Sequence, residues 1–137
     1  MSVLDKPTHK RKEPPLIFIA DDHPQLLQMA EILLTGEGYQ CRLFSTPEEV
    51  LRVMAAERLR PDLLLTDYEM GSMNGLELVA HCRTTIPGLK TILVSGTVEE
   101  ATILCHPVKV NQFLSKPYQP QALLSLVRCL LAEESPV

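Results

Sequence analysis

Apolar residues along this chain fall into short unbroken runs that stop at a polar residue, and between the runs they recur at helical spacing. The plainest run is Leu63-Leu64-Leu65, which ends in Thr66-Asp67-Tyr68-Glu69-Met70 and a segment bounded by Gly71 and Gly75. A run without alternation suits a strand buried on both faces, its last residue emerging at the sheet edge. Leu16-Ile17-Phe18-Ile19-Ala20 before Asp21-Asp22 has the same form. Tyr39 to Phe44, Lys90 to Val94 before Ser95-Gly96, and Val110 to Leu114 before Ser115-Lys116-Pro117 also read as strands. Five strands are predicted.

The intervening segments carry helix start and stop signals. Pro24 suits a first helical turn. Leu26, Leu27, Ala30, Ile32, Leu33 and Leu34 then form a broad apolar face that Gly36 and Gly38 stop. Thr46-Pro47-Glu48-Glu49 supplies an N-cap, a proline at N1 and a glutamate at N3 for a helix turning Val50, Leu51, Val53 and Met54 inward. Asn74 with Glu77 forms a capping box for a helix through Leu78, Val79 and Cys82 that ends before Pro87-Gly88. Thr97 with Glu100 reads as another, on a helix that Pro107 stops after two or three turns. Pro120 opens the last helix, with Leu123, Leu124, Leu126, Val127, Leu130 and Leu131 on its apolar face. Strands alternating with helices predict a three-layer α/β domain around a parallel sheet.

Composition narrows the function classes. The 137 residues suffice for one domain with its own core, and 45% hydrophobic content describes a soluble globular chain. Residues 1–15 hold three prolines and the His9-Lys10-Arg11-Lys12 cluster, and read as a disordered basic tail or linker. The folded domain is expected over residues 16–132, with a short C-terminal tail at 133–137. The net charge is −4, and the first fifteen residues carry two excess positive charges, so the remainder carries about −6. An acidic body argues against direct nucleic-acid binding, where Lys and Arg contacts to phosphate dominate. No apolar segment approaches the ~18 residues of a membrane span, which predicts no membrane association and a cytoplasmic location. Cys41, Cys82, Cys105 and Cys129 lack metal-ligand spacing, stand in apolar surroundings and are expected to pack as small reduced hydrophobes.

The chemistry lies at the strand ends. An isolated strand-end aspartate ordinarily caps a turn. Right-handed crossovers, however, bring the carboxyl ends of strands one, three, four and five to one edge. That edge collects Asp21, Asp22, Asp67, Ser95 and Lys116, where an open α/β sheet places its ligands. Two carboxylates about 4 Å apart repel by roughly 4 kcal/mol at an effective dielectric near 20, so three in one crevice call for a raised pKa or a cation. Oxygen ligands suit a hard divalent ion, with Mg2+ the natural candidate. One carboxylate can then attack phosphorus while Lys116 and the metal neutralise the transferring oxygens and Ser95 donates a hydrogen bond. His23, at a helix start, reads as a partly exposed residue rather than a ligand or general base.

In this combination the chain resembles the receiver domains of two-component response regulators, which share the fold of the chemotaxis response regulators. The resemblance covers residues 16 to about 131. It rests on Asp21-Asp22, on Thr66-Asp67-Tyr68-Glu69-Met70 followed by Met73-Asn74-Gly75-Leu76-Glu77-Leu78, on Ser95, and on Phe113-Leu114-Ser115-Lys116-Pro117. It implies a doubly wound (βα)5 flavodoxin-like sandwich with a five-stranded parallel sheet and a cis Lys116-Pro117 bond. By the same resemblance Asp67 accepts a phosphoryl group from a histidine kinase or histidine phosphotransfer protein. Mg2+ is held by Asp21, Asp22, Asp67 and the backbone carbonyl of Glu69. Lys116 contacts the phosphate, and Ser95 and Phe113 form a switch pair that alters a partner surface on helix four, strand five and helix five.

Such a module is a signalling phosphoacceptor with only slow self-phosphorylation and self-dephosphorylation, not an enzyme in the usual sense. It either stands alone or belongs to a longer regulator or hybrid kinase. Gly71 stands where the family usually has proline, Asn74 where it has aspartate and Gly96 where alanine is common; Pro107 and Lys109-Val110-Asn111 replace its small-residue helix end. Two other classes fit parts of the pattern. A receiver-like scaffold would bind partners without phosphate. An aspartate-nucleophile phosphohydrolase of the haloacid dehalogenase type needs a later acidic cluster, and no aspartate follows Asp67.

Overall fold

A computed structural model describes residues 13–132. Most of the expected basic tail, and the expected C-terminal tail at 133–137, lie outside the described residues. The elements alternate as β1 (Leu16–Ala20), α1 (Pro24–Gly36), β2 (Gln40–Phe44), α2 (Pro47–Ala56), β3 (Leu63–Asp67), α3 (Gly75–Thr85), β4 (Lys90–Ser95), α4 (Glu100–Leu104), β5 (Gln112–Ser115) and α5 (Pro120–Ala132). The strands form one parallel sheet in the order β2-β1-β3-β4-β5. This is the doubly wound (βα)5 order, with β3 at the centre and all five of its residues buried.

Side-chain alternation divides the core into two layers. Ile17, Ile19, Leu63, Leu65, Ile92 and Val94 meet Leu27, Ala30 and Leu34 of α1 and Leu123, Val127 and Leu130 of α5. On the other face Phe18, Ala20 and Leu64 meet Val50, Val53 and Met54 of α2 and Leu78, Val79 and Cys82 of α3. There Leu93 meets Leu76 of α3 and Ile103 of α4. Each fully buried leucine or isoleucine contributes about 1.5–3 kcal/mol, so the unbroken run of β3 serves both layers at once.

Helix starts follow the sequence where the side chain reaches the main chain. Thr46 accepts from the Glu49 N–H, and the reciprocal Asn74–Glu77 capping box is complete. The box expected at Thr97 and Glu100 does not form. Glu99 holds the cap position of α4 without a side-chain bond, and α4 is only five residues long. Strand β5 begins at Gln112 rather than Val110, because the Asn111 side chain accepts from the Thr91 N–H at 2.8 Å and fills the ladder's entry. Arg83 holds that corner, donating to the carbonyls of Leu89 and Lys109, the Thr91 hydroxyl and the Asn111 side chain. Ile32, expected on the inner face of α1, is exposed, since the buried stripe of that helix is Leu27, Ala30 and Leu34. Cys82 is buried and Cys41 half-buried, but Cys105 and Cys129 are exposed, contrary to the expectation that all four pack in the core. Cys105 is the C-cap that follows α4, and Cys129 stands off the buried stripe of α5.

Gly75 fixes how closely α3 approaches the end of β3. Its N–H donates to the Tyr68 carbonyl at 2.7 Å. A Cβ there would stand 2.5 Å from the Asp67 carbonyl oxygen and 2.6 Å from Leu93 Cδ1. At Gly96 the nearest atom to an added Cβ is Lys116 Cβ, at an ordinary 3.5 Å. Gly75→Ala should therefore destabilise by about 1–3 kcal/mol through overpacking. Gly96→Ala should be neutral or stabilise by about 0.4–1 kcal/mol. Denaturant melts of the two variants check this, and equal effects at both positions would refute the close-packing account.

Candidate functional site

Four strand ends build the site. Asp21 and Asp22 follow β1, Asp67 closes β3, Ser95 closes β4 and Lys116 follows β5. The parallel register sets Asp67 against Val94 and Ser95 against Ser115, so Ser95 lies one residue beyond the partner of Asp67. Asp67 is buried, only 4% exposed, while the Asp22 side chain is 47% exposed at the rim. Lys116 Nζ spans the crevice, 3.2 Å from Asp67 Oδ1 and 3.3 Å from Asp21 Oδ2. The bond from Lys116 to Pro117 is cis.

Asp21, Asp22, His23 and Asp67 each offer a ligand atom within 4.8 Å of the others. His23 Nδ1 lies 2.9 Å from Asp21 Oδ1 and 3.0 Å from Asp22 Oδ1, and the His23 N–H also donates to Asp21 at 2.9 Å. The Asp21 hydrogen bond, then the charges of Asp21 and Asp22, raise the His23 pKa. His23 is the partly exposed helix-start residue that the sequence predicts, and from the N-cap of α1 its ring reaches both aspartates. Burial first, and the neighbouring Asp21 charge second, push Asp67 upward despite the opposing effect of Lys116. Tyr118, half-buried beside the site, is raised by its burial and then by Asp21.

The loops over the crevice are tied to each other and to Ser95. Ser95 Oγ accepts from the N–H groups of Thr97 at 3.1 Å and Val98 at 3.0 Å. The Thr97 hydroxyl donates to the Glu69 carboxylate, joining the loop after β4 to the loop after β3. That is why Thr97 caps no helix: its side chain is already engaged. Gly71 holds φ +88, a left-handed conformation that proline cannot adopt, so the loop after Asp67 differs locally from a proline-bearing one.

Phe113 is not part of the crevice. It pairs in register with Leu93, on the sheet face shared with Ser95, and packs half-buried on the cluster of Leu76, Leu93 and Ile103 with Tyr68 and Val98. Leu104, the last residue of α4, is 64% exposed. The strand ends bring Asp21, Asp22, Asp67, Ser95 and Lys116 to one edge as the sequence predicts, while the Thr97–Glu69 tie and the close approach at Gly75 carried no signal in local spacing.

Chemically, the arrangement offers a buried carboxylate oxygen against one ammonium, with two further carboxylates able to hold a hard cation. None of the described helices is long and apolar enough to cross a membrane. The Transcriptional regulatory protein GlrR of Escherichia coli (strain K12) is 30% identical over 126 residues, 90% of this chain and 28% of its own length. The DNA-binding response regulator MtrA of Mycolicibacterium smegmatis is 30% identical over 117 residues, 84% of this chain and 50% of its own length. The chain thus spans half or less of these curated relatives. The crystal structure of a CheY-like response regulator receiver domain protein from Methanospirillum hungatei JF-1 superposes with a TM-score of 0.80 at 27% identity, covering 88% of this chain and 96% of that one. The family model described as the response regulator receiver domain matches residues 17–128, and the chain belongs to that family.

Proposed function

We propose that this chain is a phosphorylatable receiver, residues 16–132 forming the module and Asp67 accepting a phosphoryl group from the phosphohistidine of a histidine kinase or histidine phosphotransfer protein. The observation that carries the reading is the buried Asp67 carboxylate held 3.2 Å from Lys116 Nζ, with Asp21 and Asp22 beside it. An Asp67 oxygen attacks phosphorus, the P–O bond forms as the P–N bond breaks, and the leaving imidazole takes up a proton. Lys116 draws charge from the transferring oxygens. The residues present suit Mg2+ by donor type: Asp21, Asp22, Asp67 and the Glu69 carbonyl are oxygen donors in a crowded acidic site. Bound there, the metal supplies electrostatic neutralisation of the phosphoryl oxygens.

The donor has an apolar seat next to the nucleophile. Leu26 and Met29 of α1 with Lys116, Pro117 and Tyr118 line a concavity of about 280 Å3, and Met29 is 43% exposed. Output runs through Ser95. Drawn toward a phosphoryl oxygen, it carries the Thr97 and Val98 N–H groups with it, and the cluster holding Phe113 repacks. The partner surface is the face of α4, β5 and α5, where Leu104 already exposes apolar area. The module signals by binding partners, works in the cytoplasm with its donor, and has only slow self-phosphorylation and self-dephosphorylation chemistry.

Intact-mass measurement after incubation with acetyl phosphate should show one added phosphoryl group with Mg2+ and none with chelator. Asp67→Asn should abolish the gain, because an amide is no nucleophile. Undiminished labelling of that variant would move the acceptor elsewhere, and an unlabelled wild type would favour a phosphate-independent scaffold. Changing Asp21 and Asp22 together to Asn removes two of three negative charges, so Mg2+ affinity measured by titration should collapse; unchanged affinity would make the pair structural.

Beryllofluoride, a phosphoryl mimic, should shift amide resonances from residue 67 out to residues 97–118. Shifts confined to the crevice would contradict the Ser95–Phe113 coupling.

A further inference from the structure

A second concavity lies between α2 and α3, at their C-terminal ends, where the strands begin rather than where Asp67 stands. It encloses about 240 Å3, and Leu51 and Met54 form part of its apolar lining. Arg58 and Arg60 supply its cationic lining, His81 adds an imidazole, and no carboxylate lines it. That is unexpected in a chain of net charge −4. The acid nearest in sequence, Glu57, is turned away and paired with Arg42 at 3.3 Å.

Among the described residues Arg42, Arg52 and Arg128 each pair with a glutamate, and Arg60 and Arg83 donate to main-chain carbonyls. Arg58 alone of these arginines has no hydrogen bond or ion pair within the described residues. Helix capping does not account for it. The carbonyl of Val53 accepts from the Glu57 N–H, that of Met54 from Arg60, that of His81 from the Thr84 hydroxyl and that of Cys82 from the Ile86 N–H. Arg58 moreover holds φ 54, the one positive-φ residue other than glycine among those described. It directly follows the C-cap of α2, the position where glycine costs least. A long cationic side chain kept in a glycine conformation points to a role for the side chain itself.

We propose that this concavity binds a small organic anion, a phosphate or carboxylate group on a compact apolar body. Arg58 and His81 take the anionic group, Arg60 adds positive charge from its capping position, and Leu51 and Met54 hold the apolar body. The volume falls below the roughly 300–1,000 Å3 of drug-sized ligand sites, which suits a small ligand rather than a macromolecular surface.

The test uses the full chain in Mg2+-free buffer, with amide shifts followed during titration by phenyl phosphate, benzoate, inorganic phosphate and phenol. Phenyl phosphate or benzoate should give saturable shifts at residues 51–60 and 81–85. Inorganic phosphate should bind more weakly at the same residues, and phenol should leave them unmoved. Arg58→Gly suits the backbone at φ 54 and should melt no lower than wild type, yet weaken binding roughly tenfold, as expected for one lost charge-assisted contact. His81→Gln should weaken it in the same direction. Full affinity in Arg58→Gly, or the absence of saturable shifts at these residues with both organic anions, would overturn the proposal.

Discussion

Three carboxylates crowded against one ammonium at the sheet's edge are the constraint around which the rest of this fold is arranged. Lys116 contacts Asp67 and Asp21, and Asp22 is left at the rim with His23. At about 4 Å each like-charge pair costs roughly 4 kcal/mol at an effective dielectric near 20, so one lysine cannot settle the balance. The raised Asp67 pKa expresses that imbalance. Its folded state holds the proton more tightly than the unfolded chain does. The associated stability is fully present below the ordinary value of 3.8 and is lost as pH rises through the raised one. A divalent cation bound there would relieve the same repulsion at neutral pH without protonating Asp67. The proposed phosphorylation would add negative charge and make such a cation more necessary, not less.

Precision in this crevice comes from the sheet rather than from the loops. The burial of β3 on both faces fixes its height in the sheet, and the register pairing Asp67 with Val94 fixes which residue of β4 lies next to it. Gly75 then lets α3 close against the Asp67 carbonyl, where any side chain would push the helix away. Each device acts on the backbone. The side chains of the site inherit their positions from it, which is why so few direct hydrogen bonds are needed to hold Asp67.

The strands, their order of appearance and the convergence of Asp21, Asp22, Asp67, Ser95 and Lys116 were legible because each depends on local pattern and on a general rule of parallel sheets. What local pattern misled about was competition between partners. Thr97 and Glu100 have capping-box spacing, but the Thr97 hydroxyl finds the Glu69 carboxylate 28 residues away in sequence, and the cap is forgone. Val110 reads as strand, but Asn111 takes the Thr91 N–H that the ladder would need. Ile32 is as apolar as Leu34, and only the angle of α1 on the sheet leaves one at 63% exposure and the other buried. No spacing rule carries those outcomes, because each is decided by a residue distant in sequence.

In the proposed switch, the hydrogen-bond inventory of Ser95 sets how a signal would leave the site. A serine hydroxyl has one donor and two acceptor lone pairs. The N–H groups of Thr97 and Val98 fill both acceptor positions, and the O–H, which now faces Thr97 Oγ1 at 3.5 Å, would have to turn from it toward an oxygen placed on Asp67. On that reading Ser95 would not have to release the following segment in order to bond a phosphoryl group; it would draw that segment along. The exposed Thr97–Glu69 bond is the contact to give way, since exposed side-chain bonds contribute little while the buried Ser95 oxygen would be costly to leave unpaired. Val98 packs on the cluster that holds Phe113, so displacement of residues 97–98 reaches that ring directly. A two-state response needs about 5.5 kcal/mol of preference to go from 1:99 to 99:1. A charge-assisted bond together with the repacking of one aromatic ring is of that order.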